Sequence, residues 1–117
     1  MYWSWNSGYI FFKMDGTSPS IPAMGGVFQY HVGGFGGYSS PQPNNLRTIT
    51  LDLTPRGTPK VKAAKSTNIH LMVDILKALT GSTNMSFATT AMIHSAAPGT
   101  AIANNYTSMF THDHTEN

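Results

Sequence analysis

The sequence predicts a mainly β domain, an antiparallel sandwich or barrel-like sheet with two short helices near its C-terminus. Three observations carry that prediction. Charged residues make up 10% of the 117-residue chain, against about 25% in an average globular protein, and Gly, Pro, Ser, Thr and Asn take their place. Apolar residues alternate with polar ones in several short runs, which is the pattern of strands. Turn-forming clusters separate those runs, and helical signals occur only in two stretches near the end. The length suits one domain with one core, spanning residues 1–117.

The first run, residues 1–16 (MYWSWNSGYIFFKMDG), holds both tryptophans, Trp3 and Trp5, among Tyr2, Tyr9, Phe11 and Phe12. Each such ring buries roughly 150–250 Å² when it packs. A chain opening this way is expected to begin inside a core, as the later part of a larger domain. Residues 8–15 read as a strand buried on both sides. Tyr9, Phe11 and the stem of Lys13 lie on one face, with Ile10, Phe12 and Met14 on the other. Asp15-Gly16 is expected to turn the chain. Residues 27–32 (VFQYHV) form the second expected strand, with Gln29 and His31 opposite Phe28, Tyr30 and Val32.

Residues 33–45 (GGFGGYSSPQPNN) are rich in glycine, but their spacing is not G-x-G-x-x-G, and no Lys-Ser/Thr follows. They read as a turn-forming loop rather than a phosphate cradle. Residues 46–53 give the most regular alternation in the chain. Leu46, Thr48, Thr50 and Asp52 oppose Arg47, Ile49, Leu51 and Leu53, which predicts a strand. A turn over 54–59 leads to a short pairing strand at 60–64, and residues 68–73 (NIHLMV) predict another. Residues 74–79 read as a short helix whose anionic start suits its N-terminus, with Gly81 as its stop. Over residues 100–110, Ile102, Asn105, Tyr106, Met109 and Phe110 fall at helical spacing and predict a helix docked by one face.

Composition excludes several functions. The net charge is only +2, and Lys60, Lys62 and Lys65, its densest run, read as a solvated loop. A nucleic-acid surface would need a larger basic excess interleaved with aromatics. Cysteine is absent, which removes disulfides and thiolate metal sites. No apolar run approaches the roughly 20 residues of a membrane span, and no charged n-region precedes an apolar h-region. The acidic residues Asp15, Asp52, Asp74, Asp113 and Glu116 are dispersed and form no glycosidase pair. G-x-S-x-G and H-E-x-x-H are missing too, so the chain is not expected to be an enzyme.

Metal binding is the chemistry that the five histidines and seven methionines allow. His112 and His114 are two apart, so on an extended segment both imidazoles share a face and can converge on one ion. Imidazole suits copper or zinc, a nearby thioether favours Cu(I), and Asp113 is placed to fix a histidine tautomer. The plainer reading of the same residues is a solvated C-terminal tail. His31, mid-strand beside the glycine loop, reads on its own as a packed or hydrogen-bonded residue. His70 and His94 have no partner in sequence and read as structural or surface residues.

Taken in order, five motifs resemble the MbnP-like family of exported bacterial copper-binding proteins, named for a member encoded beside methanobactin genes. They are W-x-W-x-x-G-Y-x-F (3–11), F-x-Y-H-x-G-G (28–34), N-L-R-x-I-x-L-D (45–52), V-D-I-L-K-A-L (73–79) and I-A-N-N-Y-x-x-M-F-x-x-D-H (102–114). The family domain is longer, with further strands in its earlier half. The chain therefore resembles the C-terminal part of such a domain.

The resemblance implies copper binding rather than turnover, in a periplasmic, cell-surface or extracellular setting that includes lipoproteins. It also implies a partner, a di-haem enzyme of the cytochrome c peroxidase type. In family members that enzyme oxidises a tryptophan of the W-x-W region to kynurenine, which then holds Cu(I) together with histidine. Carried over by position, the candidates are Trp3 or Trp5, with Trp5 favoured, and His114, with His31 as an additional one. Indole itself offers only an N–H donor, and ring opening supplies the aniline-like amine that a metal needs. Members often close D-H-x-H-N, whereas here Glu116 stands at the second histidine position, so that either a second ligand is lost or His112 substitutes for it. The competing expectation is a non-catalytic secreted β-sandwich module for adhesion or interaction, without metal and with both tryptophans as plain core.

Overall fold

A computed structural model describes residues 2–117, apart from the side chain of Met24. The chain is mainly β. Its elements in order are β1 (Tyr2–Ser4), β2 (Gly8–Thr17), β3 (Val27–Gly33), β4 (Asn68–Val73), β5 (Met92–Ile93), α1 (Ala96–Asn105) and β6 (Phe110–Glu116). Single 3-10 turns lie at Met24–Gly26, Thr54–Arg56, Ile75–Ala78 and Tyr106–Ser108.

Four strands form one sheet in the order β1-β2-β3-β5, with antiparallel pairs except for the parallel β3–β5 edge. Strands β4 and β6 form a separate antiparallel ribbon. The alternation of β3 sends Phe28, Tyr30 and Val32 into the core, where Ile93 of β5 and Ile102 and Ala103 of α1 meet them. Gly99 allows the close approach of helix to sheet, since a Cβ there would lie 2.9 Å from Val32 Cγ1. Phe12 and Met14 of β2 pack against this cluster from one side, and Phe87 from another.

Several expectations need correction. Asp15-Gly16 does not turn the chain, because β2 runs on to Thr17 with Gly16 paired to Phe28. The Phe28 ring lies where a Gly16 side chain would be. Nor is β2 buried on both sides: Ile10, Phe12 and Met14 face inward, while Tyr9 is 66% and Phe11 41% exposed. That outer face is only partly covered, with Tyr2 against Tyr9.

Residues 46–53 keep the alternation that was read, with Arg47, Ile49, Leu51 and Leu53 half-buried and their neighbours exposed. They join no ladder. Alternation reports which side touches protein, not whether a backbone partner runs alongside. Residues 60–64 likewise form no strand, and Ala64 takes a positive φ of 57°.

The first expected helix is only the 3-10 turn Ile75–Ala78, opened by Asp74, whose carboxylate accepts from the Leu76 N–H at 3.1 Å. The second starts earlier than expected, at Ala96. Pro98 lies in its first turn, where no intrahelical N–H bond is required. The glycine-rich loop does turn, with φ of 106°, 103° and 86° at Gly34, Gly36 and Gly37.

Candidate metal centre

The closing HDHTE segment is a strand, and its pairing decides where each histidine points. In the β4–β6 ribbon, Asn68 opposes Glu116, His70 opposes His114, and Leu71 opposes His112. Between the last two pairs β6 carries one extra residue, Asp113, which makes a bulge. That extra residue reverses the parity of everything before it. His112 falls on the face of Leu71 and Thr115, while His114 and Glu116 share the opposite face with His70.

His112 and His114 therefore do not converge. His112 is 8% exposed. Its Nε2 lies 2.8 Å from Thr115 Oγ1, and its buried Nδ1 has no partner among the described residues.

On the other face the His70 and His114 rings stack, 4.2 Å between centroids and 5° from parallel. Glu116 reaches both, with Oε2 3.6 Å from His70 Nε2 and Oε1 3.7 Å from His114 Nε2. One ligand atom from each residue lies within 4.8 Å of the other two. Asp113 Oδ2 sits 2.9 Å from His114 Nδ1, and its other oxygen is 3.7 Å from Arg56 Nη1. The bond from Asp113 holds the His114 pKa above its ordinary value, and the same bond holds the Asp113 carboxyl below its own. Glu116 is also held low, first by the Asn68 side chain and then by the charge of His70.

Two imidazole nitrogens and a carboxylate oxygen, each about 2.0–2.2 Å from one ion, cannot lie more than about 4.2 Å apart. The three side chains are exposed, so closing this gap requires only that the stacked rings tilt toward one ion at the surface. The trio fits a borderline divalent ion, and Cu(II) stands highest among the first-row metals for such a donor set.

His31 lies elsewhere. Its Nε2 is 2.7 Å from Asp15 Oδ1, and Lys13 Nζ is 2.9 Å from Asp15 Oδ2. Its ring also lies 4.8 Å from that of His94. Trp3 is half-buried, whereas Trp5 is 75% exposed and meets Tyr38 edge-on at 5.8 Å. The groove beside Trp5 is lined by Tyr2, Tyr9, Phe11, Phe35, Tyr38 and Leu46, with Gly8 at its wall. No histidine lines it, so Trp5 is not brought together with the histidines in this groove.

Sequence reasoning missed His70 and Glu116. His70 becomes a partner only through cross-strand register. Glu116 was visible as the residue at the position of a family histidine, and a carboxylate is itself a metal ligand.

The family model for MbnP matches residues 1–98. The chain belongs to the MbnP family. The match to MbnP takes in Trp3, Trp5, His31, His70 and His94, while His112, His114 and Glu116 follow it in sequence. No curated protein sequence and no solved structure gives a significant match.

Proposed function

We propose that this member of the MbnP family binds copper as cargo on the β4–β6 ribbon, outside the cytoplasm, and stores or hands on the metal rather than turning over a substrate. The observation that carries the reading is the stacked His70–His114 pair facing Glu116. The chain's own residues divide the work. Asp113 holds the Nδ1 proton of His114, which leaves the Nε2 lone pair turned toward Glu116. Arg56 steadies Asp113 from behind, and Asn68 steadies Glu116. The three side chains are open to solvent, which suits capture and release of an ion. Trp5, the more exposed indole, is the residue proposed for oxidation to kynurenine by a di-haem partner enzyme.

The test is titration of the full chain with Cu(II) against a competing chelator, alongside the double variant His70→Ala/His114→Ala. The expected result is a loss of affinity of at least about tenfold. Wild-type and variant affinities that agree within error would sink the proposal. Mass spectrometry of the Trp3–Trp5 peptide from the native host checks the modification. The expected product is an indole that has gained two oxygens and lost carbon monoxide.

A further inference from the structure

Strand β4 carries an edge that the ribbon does not use. Its one ladder is with β6, and among the described residues no backbone hydrogen bond outside the ladders involves residues 68–73. Along an antiparallel pair, every second residue turns its N–H and C=O away from the partner strand. On β4 those outward groups face no other segment. The chain that passes nearby belongs to β6 instead: Arg56 Nη1 donates to the Asp113 carbonyl at 3.3 Å, and the Lys60 N–H donates to Asn117 Oδ1 at 2.6 Å. Gly57 lies against Thr115 between these two anchors.

An open edge is a template for another strand, and proteins that stay apart blunt it with lysine, proline, a bulge or an inward charge. The β4 run NIHLMV has no charged residue and no proline, and the bulge of the ribbon is carried by β6. Both of its faces are apolar as well. Ile69, Leu71 and Val73 lie on one and Met72 on the other, each between 40% and 57% exposed, and Ile75 and Leu76 continue the run. Together these six side chains show on the order of 500 Å² of apolar surface, near the upper end for the largest patch on a monomer. With the strand backbone added, that approaches the roughly 600 Å² per partner of the smaller specific interfaces.

The charges that flank the strand select the occupant. Lys65 precedes β4 and Asp74 follows it. Both are exposed, and neither joins an ion pair among the described residues. Two copies of β4 laid antiparallel bring Lys65 of each toward Asp74 of the other. Parallel pairing would set like charge against like. A two-fold arrangement of this kind is self-complementary by construction, since one patch serves both subunits.

We infer that β4 is a dimerisation edge, pairing antiparallel with β4 of a second copy about a two-fold axis. Two ribbons then make one four-stranded sheet in the order β6-β4-β4-β6. A two-stranded ribbon is marginal in water, and three or more strands are needed for independent stability, so each copy supplies what the other lacks. The pairing is made by backbone groups and needs no metal. It therefore stands whether or not the ribbon holds copper.

Sedimentation velocity of the full chain tests this, with a chelator present so that no ion can bridge two copies. Concentrations up to about 100 μM lie well above the micromolar end of specific interfaces, and a reversible dimer is expected within that range. Leu71→Lys puts two like charges in the middle of the pairing and should weaken the dimer at least about tenfold. Lys65→Glu turns an acid toward Asp74 of the other copy and should weaken it by roughly two- to fivefold, less so in high salt. Hydrogen exchange locates the contact: amides of residues 68–73 that face away from β6 should be protected in the dimer and lose protection on dilution. Circular dichroism checks that each variant is folded. A chain that stays monomeric throughout overturns the inference. So does a dimer that survives Leu71→Lys with its β4 amides unprotected, since its interface would lie elsewhere, as at the aromatic groove beside Trp5. Copper affinity enters none of these readouts, so the copper reading stands or falls separately.

Discussion

Asn105 fixes the base of the β4–β6 ribbon, and replacing it should cost more than its single side chain suggests. The residue ends α1 and is 1% exposed. Its Nδ2 donates to the carbonyls of Ala78 at 2.9 Å and Thr83 at 2.8 Å. Its Oδ1 accepts from the Thr83 N–H at 3.1 Å and from Ser82 Oγ at 3.2 Å. Gly81 is a glycine because the Asn105 carboxamide occupies the space of any side chain there. The bonds tie the segment after β4 to the segment before β6, so both roots of the ribbon hang from one carboxamide.

Asn105→Ala leaves three backbone groups without partners. At about 1 kcal/mol each, the loss is roughly 3 kcal/mol, a large share of the 5–15 kcal/mol typical of a domain. For a chain of this size the melting temperature should fall by roughly 10–20 °C. Asn105→Asp separates hydrogen bonding from packing, because it keeps the shape but turns a carboxylate oxygen toward two carbonyls. It should cost at least as much as Ala. Thermal and urea unfolding followed by circular dichroism measure both. A loss below about 1 kcal/mol for Ala, or an Asp variant as stable as the wild type, would refute the reasoning, since solvent would then be replacing the bonds.

Two further predictions follow from single groups. Burial pushes the Tyr106 phenol well above its ordinary pKa, against a smaller opposing effect of Arg47, and its buried hydroxyl has no partner among the described residues. Tyr106→Phe removes an unsatisfied polar group and should leave the melting temperature unchanged or raise it by a few degrees, about 1 kcal/mol or less; a clear fall would show that the hydroxyl is bonded after all. His114 has a folded pKa above its ordinary 6.5, so its pairing with Asp113 supports the ribbon fully below the unfolded midpoint and is lost as pH rises through the folded one. Asp113 and Glu116 are shifted the other way, so their support is present above their unfolded midpoints and is lost as pH falls through the folded values. NMR titration of the imidazole should place the His114 midpoint above 6.5 in the metal-free protein and lower in Asp113→Asn; equal midpoints in the two proteins would contradict the pairing.

What could be read from the sequence was local, and what could not was pairing. The period-two pattern identified β2, β3 and β4 because side-chain parity is a property of one segment. The same pattern at residues 46–53 predicted a ladder that does not form, since alternation cannot say whether another backbone lies within hydrogen-bonding distance. The HDH motif failed for a related reason. Two residues apart means one face only on an uninterrupted strand, and the Asp113 bulge interrupts this one. His94 looked isolated because its partner, His31, lies across a parallel pair joined through most of the chain. Asn105 counted toward an apolar helix face by spacing, yet it is a hydrogen-bond anchor. The motif order that resembles MbnP was legible because it needs only sequence.

The ribbon explains why a metal would matter to this fold and not merely be carried by it. Every residue of β4 is exposed, and an isolated pair of strands is marginal in water. Its order therefore depends on the root at Asn105 and on whatever joins its two strands along their length. His70 belongs to β4, and His114 and Glu116 to β6, so an ion held by all three is a cross-link between strands otherwise joined by backbone bonds and a few exposed side-chain contacts. Such an ion binds the paired ribbon and not the parted one. At a hundred times its dissociation constant it would favour the paired state by about 2.7 kcal/mol, close to the cost worked out for losing Asn105. On the proposed reading, copper affinity and ribbon order are two measures of one equilibrium. A change at the root far from any ligand must then weaken copper binding to the extent that it parts the strands.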